Sequence, residues 1–466
     1  MTNDMTTGNP VKLILLFSIP LLIGNIFQQF YSMVDTIIVG RFIGVEALAA
    51  VGTTSSMVFL VNGFVMGLTS GFAVLISQKY GAKDEVGVKE AVASSIILSI
   101  IATILVTFIS VLSAKPLLTL MNTPSNIMKN ASTYIIILYA GNIAIIFYNM
   151  MAAILRALGD SKTPLYFLIV SSVLNIILDL VLIINFKMGV AGAAYATVIS
   201  QGVSAILCVI YTYKRYKILR LKKDDFKVKK KYYRKHLKVG IPMALQFSIT
   251  SIGIMTVQSA INIFGSTVIA SYAASSKVLQ LVMQPATTLG VTMATYCGQN
   301  IGAKRYDRIK EGVKKCVQIS IITSVISAII LILLGKYFVM MFVSNPDAEI
   351  LSYAQQVLNI SAIFFIPLGL IFVYRNALQG IGDSFIPMMA GVYELVARAI
   401  VAFTLPKVLE FMGICLADPV AWFAAVIPLA YTTIKEKKVL SMKVKKFNKT
   451  IWEIFTMSIY SSIMLI

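Results

Sequence analysis

Acidic charge is scarce in this chain. Its 466 residues hold 20 Asp and Glu against 41 Lys and Arg, and charged residues are only 13% of the total. There is one histidine, and there are two tryptophans. The four cysteines, Cys208, Cys297, Cys316 and Cys415, show no paired spacing, which excludes a disulfide framework or a zinc site read from spacing. Soluble domains carry about 25% charged residues. A soluble nucleic-acid binder would account for the net charge of +21, but not for a mean hydropathy of +0.83. A hydrophobic content of 58% excludes disorder. A transmembrane β-barrel would show short alternating segments, whereas the apolar runs here are long and continuous. The composition therefore describes an all-α membrane protein with basic loops.

A spanning helix needs about 20 mostly apolar residues, and its backbone groups must bond within the segment. Twelve stretches qualify: 13–38, 47–78, 91–114, 131–155, 164–185, 189–213, 239–263, 268–297, 316–343, 353–378, 387–410 and 417–434. The first lacks a small-residue cleavage site and is expected to stay as a helix rather than be removed as a signal peptide. Lys and Arg crowd alternate loops: Lys79, Lys83 and Lys89; Arg156 and Lys162; Lys304, Arg305, Arg308, Lys310, Lys314 and Lys315. Residues 214–238 add 13 Lys and Arg in 25 positions. Basic loops are the cytoplasmic ones, so both termini and the 214–238 connector are expected in the cytoplasm. Such a connector suits anionic lipid headgroups better than nucleic acid. The lone His236 inside it is expected to be solvated. The tail, 435–466, is basic and ends in an apolar stretch, 451–466, too short to span.

The chain repeats itself. Gln78-Lys-Tyr-Gly81-Ala82-Lys83 recurs as Gln299-Asn-Ile-Gly302-Ala303-Lys304, Gly159-Asp160-Ser161 with Pro164 recurs as Gly382-Asp383-Ser384 with Pro387, and Ile19-Pro20 recurs as Ile241-Pro242. Three matches in register predict two six-helix lobes, 1–213 and 239–434. Six is even, so the lobes are parallel and related by a pseudo-twofold axis along the membrane normal. Transporters built this way bind substrate at the repeat interface and rock between access states. No filter-like loop or charged ring points to a channel. Gly380-Ile-Gly382-Asp383 matches the GxGD pattern of intramembrane aspartyl proteases, but its repeat mate at Asp160 favours a helix-connecting turn.

Only Asp35, Asp179 and Glu394 lie well inside spans. An ionised side chain at the bilayer centre costs at least ~2.5–3.5 kcal/mol, so each is a functional candidate. Helical spacing places Gln28, Tyr31, Ser32 and Asp35 on one face of span 1, and Asn175 and Asp179 on one face of span 5. Thr197, Ser200, Gln201 and Ser204 form a polar stripe on span 6, and Asn149 on span 4 can join them. If these faces converge, they enclose two carboxyls, which cannot both ionise cheaply in one buried site. Exchanging a proton resolves this, and so does holding a hard cation such as Na+. The alternative is a pair of merely satisfied interhelical acids. In the second half, Glu394 and Arg398 are four apart and can neutralise each other, as a structural pair or as a gate. Gln28 on span 1, Gln246 on span 7, and Gln280, Met283 and Gln284 on span 8, are candidate substrate contacts, because Met-rich walls repack around varied ligands.

The stretch Phe27-Gln-Gln-Phe-Tyr-Ser-Met-Val-Asp35-Thr-Ile-Ile-Val-Gly40-Arg41, the turn Arg156-Ala-Leu-Gly-Asp160 and the run Asn175-Ile-Ile-Leu-Asp179 resemble multidrug and toxic compound extrusion (MATE) transporters. So does the placement of the repeated Gln-x-x-Gly-Ala-Lys. The resemblance spans about 1–434. It implies twelve helices in two lobes that export small organic, often cationic, drugs against inward H+ or Na+, with no other cofactor. The family's N-lobe cation site falls on Asp35, Asn175 and Asp179, with Thr197, Asn149 and Tyr31 as further contributors. One branch also carries acids on spans 7 and 10; this sequence has none there. The sequence therefore reads as a monomeric, cation-coupled antiporter of the cytoplasmic membrane, without enzymatic activity or a nucleic-acid partner. The second reading is a flippase for a lipid-linked precursor, which would need a basic central groove; Lys277, Arg375 and Arg398 are its only candidates.

Overall fold

A computed structural model describes residues 4–343 and 347–436, and every regular element within them is helical. The expected apolar tail end at 451–466 lies outside the described residues. The N-terminal half contains α1 (Pro10–Phe42), α2 (Val45–Gly81), α3 (Glu85–Leu120), α4 (Ser125–Ala140), α5 (Asn142–Ala157), α6 (Lys162–Leu180, extended by a π turn to Asn185) and α7 (Gly189–Arg215). The C-terminal half contains α8 (Lys230–Ile261), α9 (Ser266–Val282), α10 (Gln284–Gly302), α11 (Tyr306–Met340), α12 (Ala348–Ile363), α13 (Phe365–Ile381), α14 (Phe385–Thr404) and α15 (Pro406–Cys415). A last helix, α16, runs Ala417–Glu436.

Among the described residues, nine single helices are long and apolar enough to cross a membrane, and two bent pairs bring the number to eleven. The bent pairs are spans 4 and 10, broken by 47° between α4 and α5 and by 55° between α12 and α13. At the first elbow Gly141 presses on α7: a Cβ there would sit 2.2 Å from Val198 Cγ2. At the second, Pro367 lies in the first turn of α13 and lacks a backbone N–H, which favours a fresh helix start over continuity. The remaining expected span, the eighth at 268–297, is divided at Met283 into α9 and α10, with Pro285 opening the second piece. The α10 piece is too polar to pass as a lipid-spanning helix because it faces the other half of the protein, as the bonds below show.

The repeat is visible in the backbone. Left-handed or otherwise positive φ occurs at mated positions: Lys83 and Lys304 (56° and 57°), Gly159 and Gly382 (84° and 99°), Gly44 and Gly265 (115° and 86°). The Gly-Asp-Ser elements are the expected turns; Asp160 caps α6 by accepting from the Lys162 and Thr163 amides at 3.0 Å.

Helices in lipid gain little from apolar burial against one another, so close packing at small residues holds them together. The α2–α8 seam follows this rule. A Cβ on Gly71 would lie 2.4 Å from Gly240 Cα, and one on Gly67 2.5 Å from the Met243 carbonyl. Large apolar side chains such as Phe108 (65% exposed) and Leu112 (61%) point outward instead, as lipid-facing residues do. Across the pseudo-twofold axis, the mate of the Gly71–Gly240 contact is a hydroxyl pair, Ser18 Oγ to Thr292 Oγ1 at 2.8 Å. Asn25 Nδ2 donates to Thr288 Oγ1 at 3.3 Å one step further along. These bonds use the polar face of α10. They lie toward the basic-loop end of the bundle.

His236 differs from expectation. The helix α8 begins at Lys230, inside the basic connector, and carries His236 into the protein. It is fully buried, with Nε2 3.0 Å from the Ala91 carbonyl and its ring edge-on to Phe72.

Candidate functional site

The helices α1, α6 and α7 converge where the sequence places its scarce acids. Asn175 and Asp179, one turn apart on α6, are 1% and 0% exposed, and Asp35 on α1 is half-buried. The carboxyls of Asp35 and Asp179 face one another. Four buried oxygens here receive no hydrogen bond of ordinary geometry: Asp35 Oδ1, both Asp179 carboxyl oxygens and Asn175 Oδ1. Gln201 Oε1 on α7 is orphaned in the same way. Ionised carboxylates only accept, and a buried acceptor without a donor costs about 1–3 kcal/mol, more when charged. The cluster therefore calls for a proton or a cation.

The neighbouring groups leave that demand in place. Thr197 Oγ1 donates to the Ala193 carbonyl at 3.1 Å, and Asn175 Nδ2 approaches Thr197 Oγ1 at 3.5 Å, the limit of a hydrogen bond. The amide N–H of Asn175 is thus turned to Thr197, and its oxygen is left without a donor. Tyr31 stands close enough to Asp35 and Asp179 to feel both charges, as expected from its helical spacing. Asn149 donates its amide nitrogen to the Ile145 carbonyl of its own helix at 2.9 Å. Span 4 also contributes Tyr134, a 7%-exposed residue beside Asp35, Tyr31 and Asp179. No helical spacing on α1 or α6 announces it, because it comes from a different span.

The substrate candidates scatter. Gln28 is exposed on α1, one turn beyond Asn25; Gln284 lies one turn beyond Thr288, so each glutamine stands one helical turn from the Asn25–Thr288 contact between the halves. Gln280 is exposed, and its carbonyl accepts from Gln284 Nε2 at 2.9 Å. Met283 forms the α9–α10 break and borders a small cavity with Thr323, Ser324 and Phe365. Gln246 faces into its own half, 4% exposed, accepting from Gln379 Nε2 at 2.6 Å.

Glu394 and Arg398 do pair, at 3.0 Å, within a larger network than their spacing suggests. Arg375 Nη2 holds the other Glu394 oxygen at 2.9 Å, and Arg398 Nε holds Asp418 Oδ1 at 2.7 Å. Glu394, Arg375 and Arg398 are each 6% exposed or less. The two added partners sit on different spans, so no helical spacing announces them.

Two parallel six-helix lobes, broken at mated spans and carrying a buried acidic pair in one lobe, define a polytopic transporter-type membrane bundle. The sequence model of the MatE family matches residues 20–181 and again 242–404, and the chain belongs to that family of multidrug and toxic compound extrusion (MATE) transporters. It is 31% identical over 383 residues to the "Probable multidrug resistance protein YpnP" of Bacillus subtilis (strain 168), covering 81% of this chain and 84% of that one. It is 30% identical over 426 residues to the "Probable multidrug resistance protein YoeA" of the same strain, covering 89% and 91%. A crystal structure of MATE in complex with MaL6 superposes with a TM-score of 0.87 at 22% identity, over 95% of this chain and all of that one.

Proposed function

We propose that the protein exports small organic drugs, cationic ones among them, against inward H+ or Na+, by alternating access across the cytoplasmic membrane. The acceptor-only oxygen cluster of Asp35, Asn175 and Asp179 carries this reading. Two carboxylates with amide and hydroxyl oxygens suit a proton or a hard monovalent cation. An ion bound between Asp35 on α1 and Asp179 on α6 draws the two helices together, and α1 also bears Gln28, one turn beyond the Asn25–Thr288 contact between the halves. Ion occupancy thereby changes the wall that a substrate meets, and differential affinity of this kind shifts a conformational equilibrium. Entry of a cation down the membrane potential contributes about 2.3 kcal/mol per charge per 100 mV.

The working division is an N lobe at 1–213, a connector at 214–238, a C lobe at 239–434 and a tail at 435–466. Both termini and the basic connector face the cytoplasm and its anionic lipids, and one chain suffices for transport. The flippase reading loses its basic groove, because Arg375 and Arg398 are engaged by Glu394 and Asp418.

Cells lacking their own exporters and expressing Asp35→Asn or Asp179→Asn should retain a cationic dye as empty cells do, with the variant present in the membrane at the level of the unaltered chain. Efflux by both variants at the unaltered rate would overturn the coupling role.

A further inference from the structure

The repeat assigns a counterpart in the C lobe to every residue of the N-lobe cation pocket. Pro20 aligns with Pro242, and Pro164 with Pro387. Packing confirms this register independently. In the N lobe Gly24 meets Leu168 across the α1–α6 crossing, with a Cβ 3.5 Å from Leu168 Cδ2. In the C lobe the same two places hold Gln246 and Gly391, with the Gly391 Cβ 3.4 Å from Gln246 Cγ. Large and small have changed partners at one crossing.

Carried one step further, the register matches Tyr31 with Gly253, Asp35 with Val257, Asn175 with Arg398 and Asp179 with Ala402. Both acids of the pocket are gone, and a guanidinium stands where the Asn175 amide stands in the other lobe. Gly253 makes the room: a Cβ there would lie 2.4 Å from Arg398 Nη1. The acids that neutralise Arg398 come from new positions, Glu394 on α14 and Asp418 on α16, with Arg375 of α13 closing the network. Tyr272 of α9 also faces Arg398 and Asp418. Two cations and two acids sum to zero. Such buried networks add little stability over apolar packing of the same shape, which leaves stability alone a poor account of this one.

We infer that Arg398 is a tethered cation, filling in the C lobe the place that an exchangeable cation fills in the N lobe. A guanidinium never releases its charge, so this lobe stays permanently loaded while the other turns over one ion per cycle. The inference rests on the N-lobe reading for the word "exchangeable", but the claim about Arg398 can be tested without it.

The test uses the full-length purified chain with Asp35→Asn and Asp179→Asn combined, which silences the N lobe. Sodium-22 binding or proton uptake, whichever the unaltered chain shows, should fall from one equivalent in that chain to none in this background. A residual equivalent, lost on adding Glu394→Gln or Asp418→Asn, would overturn the inference. No equivalent in the unaltered chain would instead sink the N-lobe proposal. Arg398→Ala is then added to the silenced background and thermal unfolding is followed against methylguanidinium at millimolar concentration. A saturable rise in Tm, absent from the parent and from Arg398→Lys, is expected. A flat response in recovered Arg398→Ala protein would overturn the tether, and if that variant cannot be recovered the ion count on the parent still decides.

Discussion

Gln78 and Gln299, mates in the repeat, each reach into the opposite lobe and find mated partners. Gln78 Nε2 donates to the Gly380 carbonyl at 3.0 Å, and Gln299 Nε2 to the Ala157 carbonyl at 2.9 Å. The neighbouring glycines interlock in the same reciprocal way. A Cβ on Gly81 would fall 1.9 Å from the Gln299 carbonyl oxygen, and one on Gly302 1.9 Å from that of Gln78. The N-terminal segment joins this closure: the Met5 amide donates to Gln299 Oε1 at 3.0 Å, and the Met5 carbonyl accepts from Asn300 Nδ2 at 3.0 Å.

Removing both glutamine latches should open the basic-loop end. A typical intramolecular hydrogen bond contributes about 0.5–1.5 kcal/mol net, so losing the two cross-lobe bonds of Gln78→Ala/Gln299→Ala should by itself shift the balance roughly 5–150-fold toward the form open at that end, and loss of the Met5 bond to Gln299 adds to it. Spin-label distances across the α2–α10 contact report the shift. Unchanged distance distributions would show that the latch is incidental.

Gly81→Ala and Gly302→Ala should act more severely, since each forces backbone against backbone. The expected result is a chain that inserts in the membrane but cannot close at the basic-loop end, with dye efflux reduced at least tenfold. Wild-type efflux would mean that the lobes tolerate a wider seam.

Glu394→Gln should destabilise the protein by about 3–5 kcal/mol, because it leaves the buried Arg375 guanidinium without its acid and Arg398 with Asp418 alone. The measurement is the unfolding midpoint of the purified chain in detergent. A change within the scatter of exposed-site substitutions would contradict the buried-network description.

Acid stability should be set apart from transport. Asp84 caps α3 by accepting from the Gly87 amide at 2.8 Å and pairs with Lys79 at 2.6 Å. The Lys79 ammonium, with the Gly87 amide, holds the Asp84 carboxyl below its ordinary range. A depressed folded-state value means the stabilisation is present above the ordinary carboxylate range and lost as pH falls through the folded value. Its loss therefore belongs below about pH 4. Asp84→Ala should remove about 1 kcal/mol of cap stabilisation at neutral pH and flatten the acid limb of the unfolding curve, leaving the neutral-pH dependence of efflux intact.

Much of this architecture is legible in the residues. Asp35, Asn175 and Asp179 stand out because acids are rare at membrane depth and helical spacing puts the latter two on one face. The two lobes follow from Gln78–Lys83 and its copy at 299–304. What escaped depends on three-dimensional neighbours. Tyr134 joins the acids from span 4, which bends by 47° after Ala140, and hydropathy is blind to a bend. Asp418 and Arg375 join Glu394 and Arg398 from other spans. His236 sits in a run of lysines that reads as solvent-exposed, yet the start of α8 turns that one side chain inward against α3.

The central claim is that the Asp35–Asp179 pair exchanges the coupling ion. Its most direct test is uptake of a cationic dye into proteoliposomes under an imposed proton gradient and then an imposed sodium gradient, with the unaltered chain and with Asp179→Asn. One of the two gradients should drive concentrative uptake by the unaltered chain and neither should drive it in the variant. Gradient-driven uptake that persists undiminished in Asp179→Asn would contradict the account.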